Sequence, residues 1–178
     1  VHRHPESGMK HDPTRPLAIT LGDPAVIGPE TIVKLFHAEP ALTRACVVVG
    51  DAAVLQRAAA VLAADAAASW PIVVLERLDE IGDLPPRCIP LWQVVAAPAS
   101  PPAWGVVSAE AGRLAGDCVA WAARAALRGE LAGLVTAPLH KEALAAAGAP
   151  YAAFPAPTEL LQSLAAELAG FAAADTPV

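Results

Sequence analysis

Five short apolar runs alternate along the chain with longer amphipathic or alanine-rich stretches. Leu17-Ala-Ile-Thr-Leu21, bounded by Pro16 and Gly22, predicts a buried strand. Ala45–Gly50 and Pro71–Leu75 predict two more, and Leu131–Thr136, ended by Pro138, another. Cys88–Val95 reads as a further strand, and Pro90, which has no N–H to donate, predicts that it lies at a sheet edge.

The stretches between them predict helices. One runs over Glu30–Ala38, with Pro29 in its first turn and Glu30 favourably placed against the helix dipole. Asp51 caps a second, through about Ala64. Ser108–Arg128 is the clearest, with Ser108 as N-cap, Gly129 as the stop, and Leu114, Cys118, Trp121 and Ala125 on one inward face. Lys141–Ala147 is short, halted by Gly148 and Pro150. Thr158 is read as the N-cap of a last helix reaching about Leu168. Strands alternating with helices predict an α/β fold with a mainly parallel sheet flanked by helices. No internal repeat is present, and no linker divides the chain into two complete domains.

Composition narrows the function classes. Hydrophobic residues make up 55 % of the 178, but 43 of them are alanine, which favours helices and buries little area. The net charge of −6 predicts no basic surface, hence no nucleic-acid partner. No apolar stretch of about 18 residues is free of charges and prolines, so no membrane partner is expected. Cys46, Cys88 and Cys118 are odd in number and widely spaced, which predicts buried reduced thiols in a cytoplasmic protein rather than a disulfide framework. Residues 1–13 predict a disordered leader. They hold three of the five histidines (His2, His4, His11), a conceivable metal-binding tract, and Met9, the sole methionine and an alternative start to Val1.

Three strand ends carry candidate chemistry. Gly22-Asp-Pro-Ala-Val-Ile-Gly-Pro-Glu30 joins a strand to a helix N-terminus, where open α/β sheets bind ligands. It lacks both the dinucleotide G-x-G-x-x-G and the P-loop G-K-[ST], so a tight structural turn and a binding loop stay equally open. Asp23 is its candidate for orienting a partner or a cation. Thr136-Ala-Pro-Leu-His-Lys141 follows another strand. Lys141 is the only lysine after Lys34 and suits a phosphate or carboxylate, or else a solvated surface; His140 is a candidate acid or base with no carboxylate partner close by in sequence. At Pro155-Ala-Pro-Thr-Glu159, Thr158 and the amides behind it can hold an anion or simply cap the helix.

The wording of four blocks goes further. "LAITLGDPAVIGPETIVKLF…CVVVGD" over residues 17–51, "GVVSAEAGR" from Gly105, "LVTAPLHKEALAAAG" from Leu134 and "PTELL" from Pro157 resemble, in order, the 4-hydroxythreonine-4-phosphate dehydrogenase family. The resemblance implies an isocitrate/isopropylmalate-dehydrogenase-like α/β fold. Residues 14–178 would be the N-terminal portion of a two-domain enzyme, truncated relative to a typical member. It implies NAD(P)-dependent oxidation of 4-phosphohydroxy-L-threonine in pyridoxine 5'-phosphate biosynthesis, with a divalent metal (Zn, Mg or Co) polarising the hydroxyl. It also implies a small phosphorylated hydroxy-acid substrate, a cytoplasmic homodimer, and substrate contacts at Thr158, with Lys141 and Asp23 shaping the site. The alternatives are a catalytically inactive remnant and a sister dehydrogenase of a phosphorylated sugar acid.

Three departures from the family's pattern stand out. Val26 replaces a usual Gly, and if that position needs a positive φ, valine suits it badly. Pro157 stands at the position of a substrate-contacting His, and the segment before it is slightly longer than usual. The family's metal-binding histidines fall past Val178, so no metal triad and no tightly held cofactor are expected of this chain; within residues 12–178 only His37 and His140 remain.

Overall fold

The computed structural model describes residues 15–63, 70–95, 100–154 and 157–169. The expected leader, the choice between Val1 and Met9, and the last nine residues lie outside them. Five parallel strands form one sheet: β1 (Leu17–Thr20), β2 (Cys46–Gly50), β3 (Ile72–Val74), β4 (Ile89–Gln93) and β5 (Gly133–Thr136), in the order β3-β4-β2-β1-β5. The connecting helices are α1 (Gly28–Ala38), α2 (Ala52–Ala63), α3 (Ala109–Leu127), α4 (Lys141–Ala146) and α5 (Pro157–Ala169). The expected α/β class and all five strands are observed, with ends moved by one or two residues.

The position of β4 corrects one expectation. It is an inner strand, between β3 and β2. Pro90 is tolerated because of where its missing donor would point. Ile89 donates to Pro71 and Leu91 accepts from Leu75, both on the β3 side, so alternation turns residue 90 toward β2. There the paired register begins only at Leu91, opposite Val48. A proline at the start of a strand's pairing forfeits nothing. Thr158 is likewise corrected from cap to first turn: α5 opens at Pro157, whose fixed φ suits the first helical position.

Two helical layers follow from the strand order. Right-handed crossovers that leave β1 toward β2 and β4 toward β5 move in opposite directions, so they must lie on opposite faces. In agreement, α1 packs with α2, while α3 lies over β1 and β2 and packs with α4 and α5. This explains the alanine content of α3, which is covered on two sides. Leu114, Cys118, Ala122 and Ala125 enter the main core with Val47, Val48, Val49, Ile89 and Leu91. Val119, Ala120 and Ala123 enter a second cluster with Leu144, Ala147, Tyr151, Leu160 and Leu164. Trp121, expected inward, is half-buried and stacks on Trp92 at 4.8 Å between ring centroids. Gly112 and Gly116 let the neighbours close in. A Cβ on Gly112 would lie 1.9 Å from the Ala143 carbonyl oxygen, and one on Gly116 would lie 2.6 Å from the Tyr151 ring.

Side-chain hydrogen bonds fasten the starts of α2 and α3. Ser108 caps α3 by accepting from the Ala111 N–H. Asp51, fully buried, caps α2 by accepting from Val54 N–H at 3.0 Å, and its second oxygen accepts from Gln93 Nε2 at 2.6 Å. Gln93 in turn accepts from the Ala52 N–H. The end of β4 is thereby fastened to the start of α2. All three cysteines are free and buried, and burial raises each thiol above its ordinary value.

Two measurements test this packing. Asp51→Ala removes a cap and strands Gln93, and is expected to lower the urea-unfolding free energy by about 1–3 kcal/mol. Tyr151 donates a hydrogen bond to Asp117; burial first, and that bond second, raise its phenol above the usual value of 10.0. The folded state therefore favours the protonated ring. That stabilisation is present below pH 10 and is lost as pH rises toward the higher folded value. Stability–pH curves should show Tyr151→Phe losing less stability than the parent chain above pH 10.

Candidate functional site

The strand order creates a switch point between β1 and β5. The β1 chain leaves for the α1–α2 layer, and the β5 chain leaves for the α3–α4 layer. Open α/β sheets place ligands outside the carboxyl ends of strands at such a point. Two of the three loops singled out from the sequence, 22–30 and 136–141, meet here.

Their contact depends on two residues without side chains. Gly22 has φ +73°, and a Cβ there would lie 2.5 Å from the Pro138 carbonyl oxygen and 2.9 Å from Ala137. A Cβ on Gly28 would lie 2.7 Å from the Leu21 carbonyl oxygen. In the space left, Asp23 N–H donates to the Pro138 carbonyl at 2.9 Å, and Ala137 N–H donates to Thr20. Val26 carries no penalty: among the described non-glycine residues the one positive φ belongs to Arg87.

Asp23 is 1 % exposed, and its Oδ1 accepts from the Ala25 N–H at 2.8 Å. Its carboxylate thus holds the turn in shape and does not face solvent. Lys141 opens α4 and is exposed. His140 precedes it without capping the helix, and its Nδ1 is buried with no hydrogen-bond partner. Thr158 is exposed in the first turn of α5. It is joined to the other two less directly, through the cluster that Leu160 and Leu164 share with Leu144 and Ala147. Among the described residues no three His, Cys, Asp or Glu side chains gather into a metal-binding group. The described residues do not fit a catalytic metal.

A family model, pyridoxal phosphate biosynthetic protein PdxA, matches residues 42–173. The chain belongs to the PdxA family. No curated protein matches it. Solved structures do. A Salmonella typhimurium protein assigned as 4-hydroxythreonine-4-phosphate dehydrogenase shares 40 % identity, with a TM-score of 0.71 over 85 % of this chain and 45 % of that one. The 4-hydroxythreonine-4-phosphate dehydrogenase of Klebsiella pneumoniae shares 36 %, with a TM-score of 0.69 over 85 % and 44 %. That of Burkholderia phymatum shares 30 %, with a TM-score of 0.70 over 90 % and 45 %. This PdxA chain therefore spans less than half the length of these relatives.

One group in the PdxA chain escaped the sequence reading. Arg57, on α2, donates to the Pro24 carbonyl at 2.8 Å and to the Pro102 carbonyl at 2.5 Å, with its guanidinium 4.6 Å from the centre of the Trp104 ring. Partial burial lowers its pKa and Glu30 raises it; a guanidinium stays charged in either case. The available signal was that Arg57 is the one charged residue in the helix AAVLQRAAAVLA. Among these contacts, the closest tolerance is at Gly22. Gly22→Ala combines a left-handed backbone with a clash against main chain, so it should cost at least about 2 kcal/mol in urea unfolding. Gly82→Ala, with nothing within 4 Å of its Cβ, should change stability far less.

Proposed function

We propose that this chain supplies the substrate-side portion of an NAD(P)-dependent dehydrogenase that oxidises 4-phosphohydroxy-L-threonine on the way to pyridoxine 5'-phosphate. The observation that carries the reading is the family match together with relatives of that activity at 30–40 % identity. The geometry supports it through the switch-point placement of loops 22–30 and 136–141.

The roles follow from exposure and charge. The Lys141 ammonium, free to reach outward beside the strand ends, offers a counter-charge for the substrate phosphate. The Thr158 hydroxyl offers a neutral donor and acceptor for the substrate's polar groups. Asp23 acts from inside, by keeping the Gly22–Gly28 loop in its turn. The nicotinamide cofactor would accept the hydride, and the ketone product would then lose its carboxylate. By the same resemblance we infer a cytoplasmic homodimer. No described helix is long and apolar enough to cross a membrane.

A second reading, in which the chain binds substrate without transferring hydride, is favoured by Pro157. It occupies the position of a family histidine and has no side-chain hydrogen-bonding group. One experiment addresses both. Titration calorimetry with 4-phosphohydroxy-L-threonine should show binding that Lys141→Gln weakens about tenfold or more, by loss of a charged hydrogen bond. NADH formation at 340 nm is followed with the chain alone and with the C-terminal half of the Klebsiella pneumoniae relative added. Turnover in either mixture supports the dehydrogenase, and binding without turnover supports the second reading. Binding that is absent, or indifferent to Lys141 and Thr158, overturns both.

A further inference from the structure

We propose that Arg57 is a positioning residue for the loop after β1, because its guanidinium joins that loop and the segment leading into α3 into one mechanical unit. Three contacts made by one planar group carry this. Nη2 donates to Pro24, inside the 22–28 loop, and Nη1 donates to Pro102, some eighty residues further along the chain. The flat face of the same group rests on Trp104. A fourth contact, independent of Arg57, completes the bridge: Gly105 N–H donates to the Ala25 carbonyl at 2.8 Å, from a backbone with φ +69°.

The chemistry of the residue explains the choice. Both carbonyls belong to prolines in loops, where no strand or helix ladder satisfies them. A rigid fork can satisfy the two together and stack at the same time. A lysine ammonium can reach one carbonyl and cannot stack as a plane. The bridge also bears on the candidate site. Asp23 lies next to Pro24, and its N–H holds the Pro138 carbonyl at the end of β5. Release of Pro24 and Ala25 would therefore loosen the contact between the two strand-end loops, although the Arg57 side chain itself bonds to Pro24 and Pro102 and stacks on Trp104.

That this loop serves substrate rests on the function proposed above. The bridge itself does not, so its test uses no substrate. Amide hydrogen exchange, resolved by NMR on the whole chain, reads two reporters: Asp23 N–H for the β1 side and Gly105 N–H for the α3 side. In Arg57→Met both should exchange faster by a similar factor, roughly ten- to hundredfold, as local opening becomes easier. Leu21 N–H, which donates to Val49 inside the sheet, should keep its parent rate. Arg57→Lys should fall between the parent and Arg57→Met at both reporters. Acceleration of one reporter alone, of neither, or of Leu21 to the same degree would overturn the proposal. If Arg57→Met does not fold, Trp104→Leu carries the same test: it leaves both carbonyl bonds available, so a smaller and still parallel acceleration is expected. Acceleration of Gly105 alone in that variant would overturn the proposal equally.

Discussion

A missing side chain at residue 22 sets the geometry of the strand-end region. The chain leaving β1 must turn with a positive φ while lying directly against the main chain that leaves β5. Only a residue without a Cβ does both, because any substituent would enter the Pro138 carbonyl. Everything placed at the switch point depends on that approach: the Asp23 amide reaching Pro138, the Asp23 carboxylate free to turn inward onto Ala25, and Ala137, just before α4, lying against Gly28 at the start of α1. Gly28 repeats the close approach alone, without the positive φ, against Leu21.

The elements were legible because their limits are chemical. Apolar runs stop where Pro16, Gly22, Pro71 and Pro138 stop them, and Ser108, Asp51 and Gly129 announce helix ends by groups that satisfy or release backbone bonds. The order of the strands was not legible, because which distant runs pair is decided by crossover handedness and by packing between layers, and periodicity carries neither. Pro90 shows the consequence. Its missing donor signals an unpaired side, yet the unpaired place proved to be the start of an inner strand. At α5 the helix opens at Pro157, one residue before the threonine read as its cap.

For the site, the two loops were recognised one at a time, by their glycines and by an isolated lysine. Their contact was hidden, since residues 23 and 138 are remote in sequence and the bond joins backbone atoms of no distinctive type. Asp23 was read as a group that orients a partner or a cation; its burial and its bond to the Ala25 N–H were not legible in the sequence. Arg57 was obscured for the opposite reason. Its surroundings are alanine and valine, and its partners are carbonyls, which leave no trace in residue identity.

The placement of β1 between β2 and β5 has a consequence for how the chain reaches this state. Leu17 pairs with Cys46 on one side and with Gly133 on the other. The first pairing closes a short loop and can form early, whereas the second must wait for a segment more than a hundred residues away, at a greater cost in chain entropy. Until β5 arrives, β1 is an apolar strand with one open edge, the kind of surface that recruits other chains. The switch-point crevice has β5 as one of its two walls. It is therefore assembled by the same late event that covers β1, and a partly folded molecule carries the hazard of the open β1 edge before it carries any of the site.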